Sequence, residues 1–297
     1  MNFEFTENGW EDFQHWIETD SSIVEKIKDL LNEIKKTPFQ GTGKPEPLRY
    51  DLKGYWSRRI TGEHRLVYKV EGKKGIDKEK DWNDLYKSYK GKYGDLANEY
   101  ELLASGKLPV GWKEKLPVFK AGEEMATRKA SGKVLNAVAD YLPNLIGGSA
   151  DLAPSTDTNL TYYKSFSSTS YDGRNFHFGI REHAMGAILN GLALSKYIIP
   201  YGATFLIFSD YMRPPIRLAT IMKIRTIYVF THDSIALGED GTTHQPVEQL
   251  IGLRSVPNIT VIRPADANET VQAWRVASEH SGGPDSLLLT GKGIQVF

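Results

Sequence analysis

Cysteine is absent from the 297 residues. Its absence excludes a disulfide framework, thiolate nucleophiles and cysteine metal sites. Net charge is absent too, because 37 lysines and arginines balance 37 aspartates and glutamates, so no global field draws the chain to nucleic acid or membrane. No apolar run reaches the roughly 20 residues of a spanning helix, and Met1-Asn2-Phe3-Glu4-Phe5 has no basic segment followed by an apolar core. A cytosolic location is expected, with no membrane and no DNA partner. What is present is enough length for two ordinary domains.

Residues 1–71 read as one unit. Residues 2–6 alternate like a strand, and Trp10, Phe13, Gln14 and Ile17 have helical spacing. In a second helix Ile23, Ile27, Leu30, Leu31 and Ile34 recur every three to four residues; Asp20 or Ser21 can cap it and Pro38 stops it. After a loop over 40–47, alternating runs at 55–60 and 64–70, joined by Thr61-Gly62-Glu63, predict paired strands. Between positions 35 and 69, nine lysines and arginines stand against three acids, a surplus of six. Two readings are open: a patch that binds phosphates, or a solvated sheet face.

Lys44-Pro45-Glu46-Pro47-Leu48, Trp56-Ser57-Arg58-Arg59-Ile60 and Glu63-His64-Arg65-Leu66-Val67-Tyr68 resemble the YoeB toxin family, ribosome-dependent mRNA endonucleases that pair with an antitoxin. The resemblance runs from Met1 to near Val70. It implies an α+β unit with helices on a small antiparallel sheet, and mRNA, ribosome and antitoxin as partners. Glu46 is then the base that deprotonates a ribose 2′-hydroxyl, Arg65 the main phosphate clamp, and Arg59 and Arg49 supporting cations. The family closes with a strand bearing adjacent histidine and tyrosine, whereas this chain runs into Glu71-Gly72-Lys73-Lys74-Gly75-Ile76. Binding with poor cleavage is therefore expected. The family has a histidine at His64 besides the terminal one, and His15 reads as an ordinary helix residue.

Residues 72–116 read as a connection. Positions 72–80 are charged, as linkers are, and Trp82, Leu85, Tyr86, Tyr89, Tyr93, Leu96, Tyr100 and Leu103 then fall at helical intervals. Residues 117–297 alternate. Strands are expected at 145–147, 176–178, 201–205, 225–231, 259–263 and 286–290, with helices near 134–142, 182–195, 211–222, 246–253 and 267–279. That order predicts an α/β domain with a mainly parallel sheet covered on both faces. Polar residues gather where strands end: Asp151, Glu182, His232 and, farther along, Asp240 and His244. Ligands of open sheets belong there. By itself, Glu182 is equally an acid complementing the positive end of a helix.

Gly147-Gly148-Ser149-Ala150-Asp151-Leu152, Phe178-Gly179-Ile180-Arg181-Glu182-His183, Thr204-Phe205-Leu206-Ile207-Phe208, Thr231-His232-Asp233-Ser234 and Gly238-Glu239-Asp240-Gly241-Thr242-Thr243-His244 resemble the pyrimidine-binding domain of transketolase. With the connecting segment included, the resemblance covers about 82–290. It implies thiamine diphosphate as cofactor, with Mg²⁺ supplied by a partner domain and no metal ligands in this chain. It places Glu182 on the aminopyrimidine and Phe208 stacked upon it. Phe205 and Tyr211 line the pocket, and Asp151 lies at the cofactor and subunit contact. His232 and His244 bind sugar oxygens or the substrate phosphate, Asp240 a hydroxyl, and Arg128 and Ser155 the phosphate. An exposed apolar surface around Phe205, Phe208 and Tyr211 is expected.

The resemblance implies ketol transfer with a diphosphate-binding partner, either a second copy or a separate subunit. Gly238-Glu239-Asp240-Gly241 is not the family's Gly-Asp-Gly metal motif, and Gly291-Lys292 follows Thr290 where the family has an arginine. A domain truncated at its C-terminus is expected. Two functions are open for the whole: a fusion of a toxin-like endonuclease with a transketolase-like domain, or a catalytically incomplete fusion that binds or dimerises.

Overall fold

The structure, a computed structural model, describes residues 3–70, 73–238 and 240–297. It divides into two compact units, Met1–Tyr89 and Lys90–Phe297.

The first unit carries helices α1 (Glu7–Thr19) and α2 (Ser21–Lys36), strands β1 (Glu46–Pro47), β2 (Tyr55–Arg59) and β3 (Arg65–Lys69), then helix α3 (Lys73–Lys92). The strands form one antiparallel sheet in the order β1-β2-β3. Thr6 caps α1 by accepting from the Gly9 N–H, and Asp20 caps α2 by accepting from that of Ser22. The apolar stripe of α2, Val24, Ile27, Leu30 and Ile34, is buried, and its middle packs with Ile60, Phe13 and Trp16. Two expectations are corrected. Residues 3–6 do not pair as a strand, because the Phe5 ring stacks on Phe13 of α1 at 5.5 Å instead. The charged segment from Lys73 is helical, since lysine, glutamate and aspartate without proline sustain a helix well enough.

The second unit comprises α4 (Gly94–Ala104), β4 (Glu124–Ala126), α5 (Thr127–Ala139), β5 (Leu145–Ser149), α6 (Ala153–Thr156), β6 (Asn175–His177), α7 (Glu182–Leu194) and β7 (Ile199–Phe205). It continues with α8 (Arg213–Met222), β8 (Ile227–Thr231), α9 (Gln249–Arg254), β9 (Thr260–Ile262), α10 (Ala267–Glu279), β10 (Asp285–Leu289) and β11 (Gly293–Gln295). Six strands build one parallel sheet in the order β6-β5-β7-β8-β10-β9, and β4 pairs with β11 apart from it. Every residue of β7, β8 and β10 is buried, as central strands of a doubly covered parallel sheet must be. Val134, Leu135, Val271 and Trp274 of α5 and α10 pack with Tyr201, Val229 and Leu287. On the other face Met185, Leu189 and Ile216 of α7 and α8 pack with Tyr228, Phe230 and Leu288.

The chain steps from β5 to β6 on one side and returns to place β7 on the other, so the order reverses between β5 and β7. The crevice at the carboxyl ends of such strands is where open α/β sheets hold ligands. Two glycines let α7 come close to its neighbours. A Cβ on Gly202 would lie 2.5 Å from Leu189 Cδ1, and one on Gly186 would lie 2.8 Å from Pro215 Cγ of α8. The expected helix from 211 instead opens with a 3₁₀ turn, Leu206–Met212, and α8 starts at Arg213 with proline in its first turn, where a missing N–H costs nothing. Among the described residues no helix is long and apolar enough to cross a membrane.

Candidate functional site

Glu182 is the first residue of α7, and Gly179, with φ of 65°, turns the chain into that helix after β6. Only 7% of Glu182 is exposed. Its Oε1 accepts from Thr204 Oγ1 at 3.3 Å, the next-to-last residue of β7. A carboxylate offers about four lone-pair positions, and among the described residues Thr204 is the one side-chain donor to it.

Beside it the end of β7 carries an aromatic group. Phe205 and Phe208 stack at 5.8 Å with 9° between planes, and Tyr211 lies 6.3 Å from Phe208. His232, the residue after β8, sets its ring 3.8 Å from that of Phe205, while His244 meets Phe205 at 5.9 Å and Phe208 edge-on at 5.5 Å. The expected exposed aromatic surface is thus only half right. Phe205 is buried under the histidines, Phe208 is half-buried, and Tyr211 stands 63% exposed.

His232 has a left-handed backbone, φ 58°, and so does Asp151 after β5, φ 63°. Such conformations cost non-glycine residues about 1–3 kcal/mol and collect at functional sites. Nδ1 of His232 shares a hydrogen bond with Thr231 Oγ1 at 2.9 Å, and Nδ1 of His244 shares one with Thr243 Oγ1 at 2.9 Å. Burial holds the His232 imidazole below its ordinary pKa, and the Arg128 guanidinium adds to that, while Asp240 and Asp233 pull the other way.

Arg128 Nη1 donates to the backbone carbonyl of Ser155, so that residue holds the guanidinium through its main chain. Arg128 Nε is buried without a partner, and Gly291 lies against both this atom and the His232 ring. Asp240 and Asp151 are exposed. Among the described residues no group of three or more histidine, aspartate or glutamate side chains could hold a metal ion.

In the first unit Glu46 lies opposite Ser57 on the neighbouring strand. Arg65 reaches across from β3, donating through Nε to Ser57 Oγ at 3.0 Å and through Nη2 to Glu46 Oε2 at 2.7 Å. Arg49 and Arg59 are exposed. Arg58 is not part of any surface patch. Its side chain is fully buried, donates to the carbonyls of Thr37, Gln40 and Thr42, and pairs with Glu33 at 3.3 Å. The loop ahead of Glu46 therefore hangs on a buried cation. Trp16 sits between His15, at 5.2 Å, and His64, at 4.9 Å.

The family model for the transketolase pyrimidine-binding domain matches residues 123–293. This chain belongs to that family. The transketolase of Aquifex aeolicus is 53% identical over 229 residues, which are 77% of this chain and 33% of that protein, and the transketolase of Halalkalibacterium halodurans is 50% identical over 235 residues, 79% and 35%. The chain spans about a third of the length of these relatives. Among solved structures, Pichia stipitis transketolase in complex with sedoheptulose-7-phosphate superposes with a TM-score of 0.73 at 42% identity, over 75% of this chain and 34% of that one. The Leishmania mexicana transketolase gives 0.72 at 45%, over 75% and 33%. The family model of the YoeB-like toxin of bacterial type II toxin-antitoxin systems matches residues 5–76.

Three residues of these sites went unread in the sequence: Thr204 on Glu182, Ser57 on Arg65, and Arg58 under its loop. Two arginines at consecutive positions in a strand point to opposite faces, which is the one signal that could have separated Arg58 from Arg59.

Proposed function

We propose that the second unit supplies the pyrimidine side of a thiamine diphosphate site for ketol transfer, and that a second copy or a separate diphosphate-binding subunit completes it with Mg²⁺. The observation that carries this is the buried Glu182 carboxylate, bonded to Thr204 at the strand-order reversal, with the stacked rings of Phe205, Phe208 and Tyr211 following directly in the chain. The residues fit the group: a carboxylate with unused acceptors suits a ring nitrogen that shares a proton, and the half-buried face of Phe208 suits a flat heterocycle. Bound there, the cofactor supplies a carbanion equivalent and an electron sink. Glu182 holds a proton between its carboxyl oxygen and the pyrimidine nitrogen, Phe208 stacks on the ring, and Phe205 and Tyr211 keep water from it. Asp151 borders the cofactor and the subunit contact. His232 and His244 present ring nitrogens to sugar oxygens, Asp240 accepts from a hydroxyl, and Arg128, held at the Ser155 carbonyl, offers its guanidinium to the substrate phosphate.

The test is to mix the chain with a diphosphate-binding domain, thiamine diphosphate and Mg²⁺, then follow ketol transfer and, separately, thiamine binding by calorimetry. Glutamine keeps the shape of Glu182 without sharing a proton, so Glu182→Gln is expected to abolish turnover while leaving the melting temperature nearly unchanged. Equal turnover in the two proteins removes Glu182 from the mechanism.

For the first unit we infer RNA binding of the YoeB type, supported by the Glu46–Arg65 pair on one sheet face. That pair is solvent-accessible, so both groups can be reached by a ligand, and such pairs contribute little to stability. Glu46 takes the 2′-hydroxyl proton, and Arg65, Arg59 and Arg49 hold the phosphate. After β3 the described chain enters α3 rather than a further strand, so binding is expected to exceed cleavage. Ribosome-bound mRNA should be retained by Glu46→Gln and released by Arg65→Ala; retention by both variants would refute a phosphate role for Arg65.

A further inference from the structure

The loop bearing Asp240 and His244 ends at α9, whose first residue, Gln249, is 1% exposed. Both ends of its amide are used. Oε1 accepts from the Val247 N–H at 2.9 Å, three residues after His244, and Nε2 donates to Asp210 Oδ2 at 2.7 Å. Asp210 lies on the 3₁₀ turn between Phe208 and Tyr211. Its other oxygen is 3.7 Å from Arg213 Nη1, and Nη2 of that arginine donates to the Gly252 carbonyl in α9 at 3.4 Å. Two links thus join α9 to the aromatic turn.

We propose that Gln249 is a positioning residue, which sets the histidine loop against the aromatic wall by tying Val247 to Asp210. The proposal rests on the reading of this pocket as the pyrimidine site. An amide suits the task because one end accepts while the other donates; a carboxylate there would lose the donor and face Asp210 with a like charge, and an aliphatic side chain would satisfy neither neighbour. The edge-on contact of His244 with Phe208, at 5.5 Å, is the spacing that the clamp sets.

The experiment compares the full chain with Gln249→Glu, Asp210→Asn and the double variant Gln249→Glu/Asp210→Asn. In the double variant the asparagine amide donates to the new carboxylate, which still accepts from Val247, so both links return and the one between positions 210 and 249 runs in the opposite direction. The first readout is the set of nuclear Overhauser contacts between the His244 and Phe208 rings in the ligand-free protein, with the thermal midpoint as a check of folding. The second is thiamine affinity. Gln249→Glu is expected to lose the ring contacts and to weaken thiamine binding about tenfold, the worth of one ordinary hydrogen bond. Asp210→Asn, which keeps an accepting oxygen, should change little, and the double variant should regain both readouts. Gln249→Glu that retains the ring contacts, or a folded double variant that lacks them, overturns the proposal. Should Gln249→Glu fail to fold, the double variant decides alone. Thiamine diphosphate that does not bind the unaltered chain even with a diphosphate-binding domain and Mg²⁺ supplied refutes the pyrimidine reading, while the ring contacts still decide whether the clamp exists.

Discussion

His232 shows how the site shapes a single titration. Burial, and then the Arg128 guanidinium, favour its neutral form, so its folded pKa lies below the ordinary value. Between that depressed value and the unfolded value of about 6.5, the unfolded chain binds a proton that the folded chain refuses. Stability therefore rises with pH across that window and is lost as the solution is acidified. His232→Asn removes the difference. Urea midpoints measured at pH 5.5 and pH 7 should differ less in the variant than in the parent; an unchanged difference would place the acid sensitivity elsewhere. A neutral ring with Nδ1 engaged by Thr231 would leave Nε2 for the sugar oxygen proposed above.

Among the elements, α7 matters most, because its depth in the fold sets the height of Glu182. Gly202 and Gly186 leave room for Leu189 and Met185 to pack on β7 and for Pro215 of α8 to pack on α7. Gly202→Val would press on Leu189 and Met185, and such overpacking costs about 1–3 kcal/mol. Both a lower melting temperature and weaker cofactor binding are expected, whereas loss of stability with binding intact would show that α7 can shift without moving Glu182. Elements of this length were legible. The spans of α2, α7 and α10 follow from apolar positions repeating at helical period, and the six parallel strands follow from short runs of buried residue types between helices. The pairs β1, β4 and β11 have two or three residues each, too few to show a period, and the 3₁₀ turn ahead of α8 looks like helix to any pattern. The carboxyl-end placement of Glu182 and His232 was legible for the same reason that the strands were. Thr204, Ser57, Arg58 and Gln249 were not, since each acquires its meaning from a partner distant in sequence: Gln249 from Asp210, Arg58 from Glu33.

For the whole molecule, α7 and α8 leave Ile188, Leu194, Leu218 and Ile221 between 45% and 60% exposed, on helices joined where Asn190 donates to the Pro215 carbonyl. Exposed apolar side chains on two adjacent helices mark an association site where they form one continuous patch. The chain is expected to self-associate through this face, and Ile221→Asp should move it toward monomer in sedimentation velocity; an unchanged sedimentation coefficient would exclude the face. Asp151 and His232 have a different bearing on the molecule. Their left-handed backbones would be relaxed by glycine, so a lineage shaped by durability alone would drift to glycine at both positions and grow sturdier. Two side chains kept where glycine is easier are a toll on stability, and, if the pocket works as proposed, the identity of positions 151 and 232 in related chains becomes a record: an acid and an imidazole where it is in use, glycine where it has fallen silent.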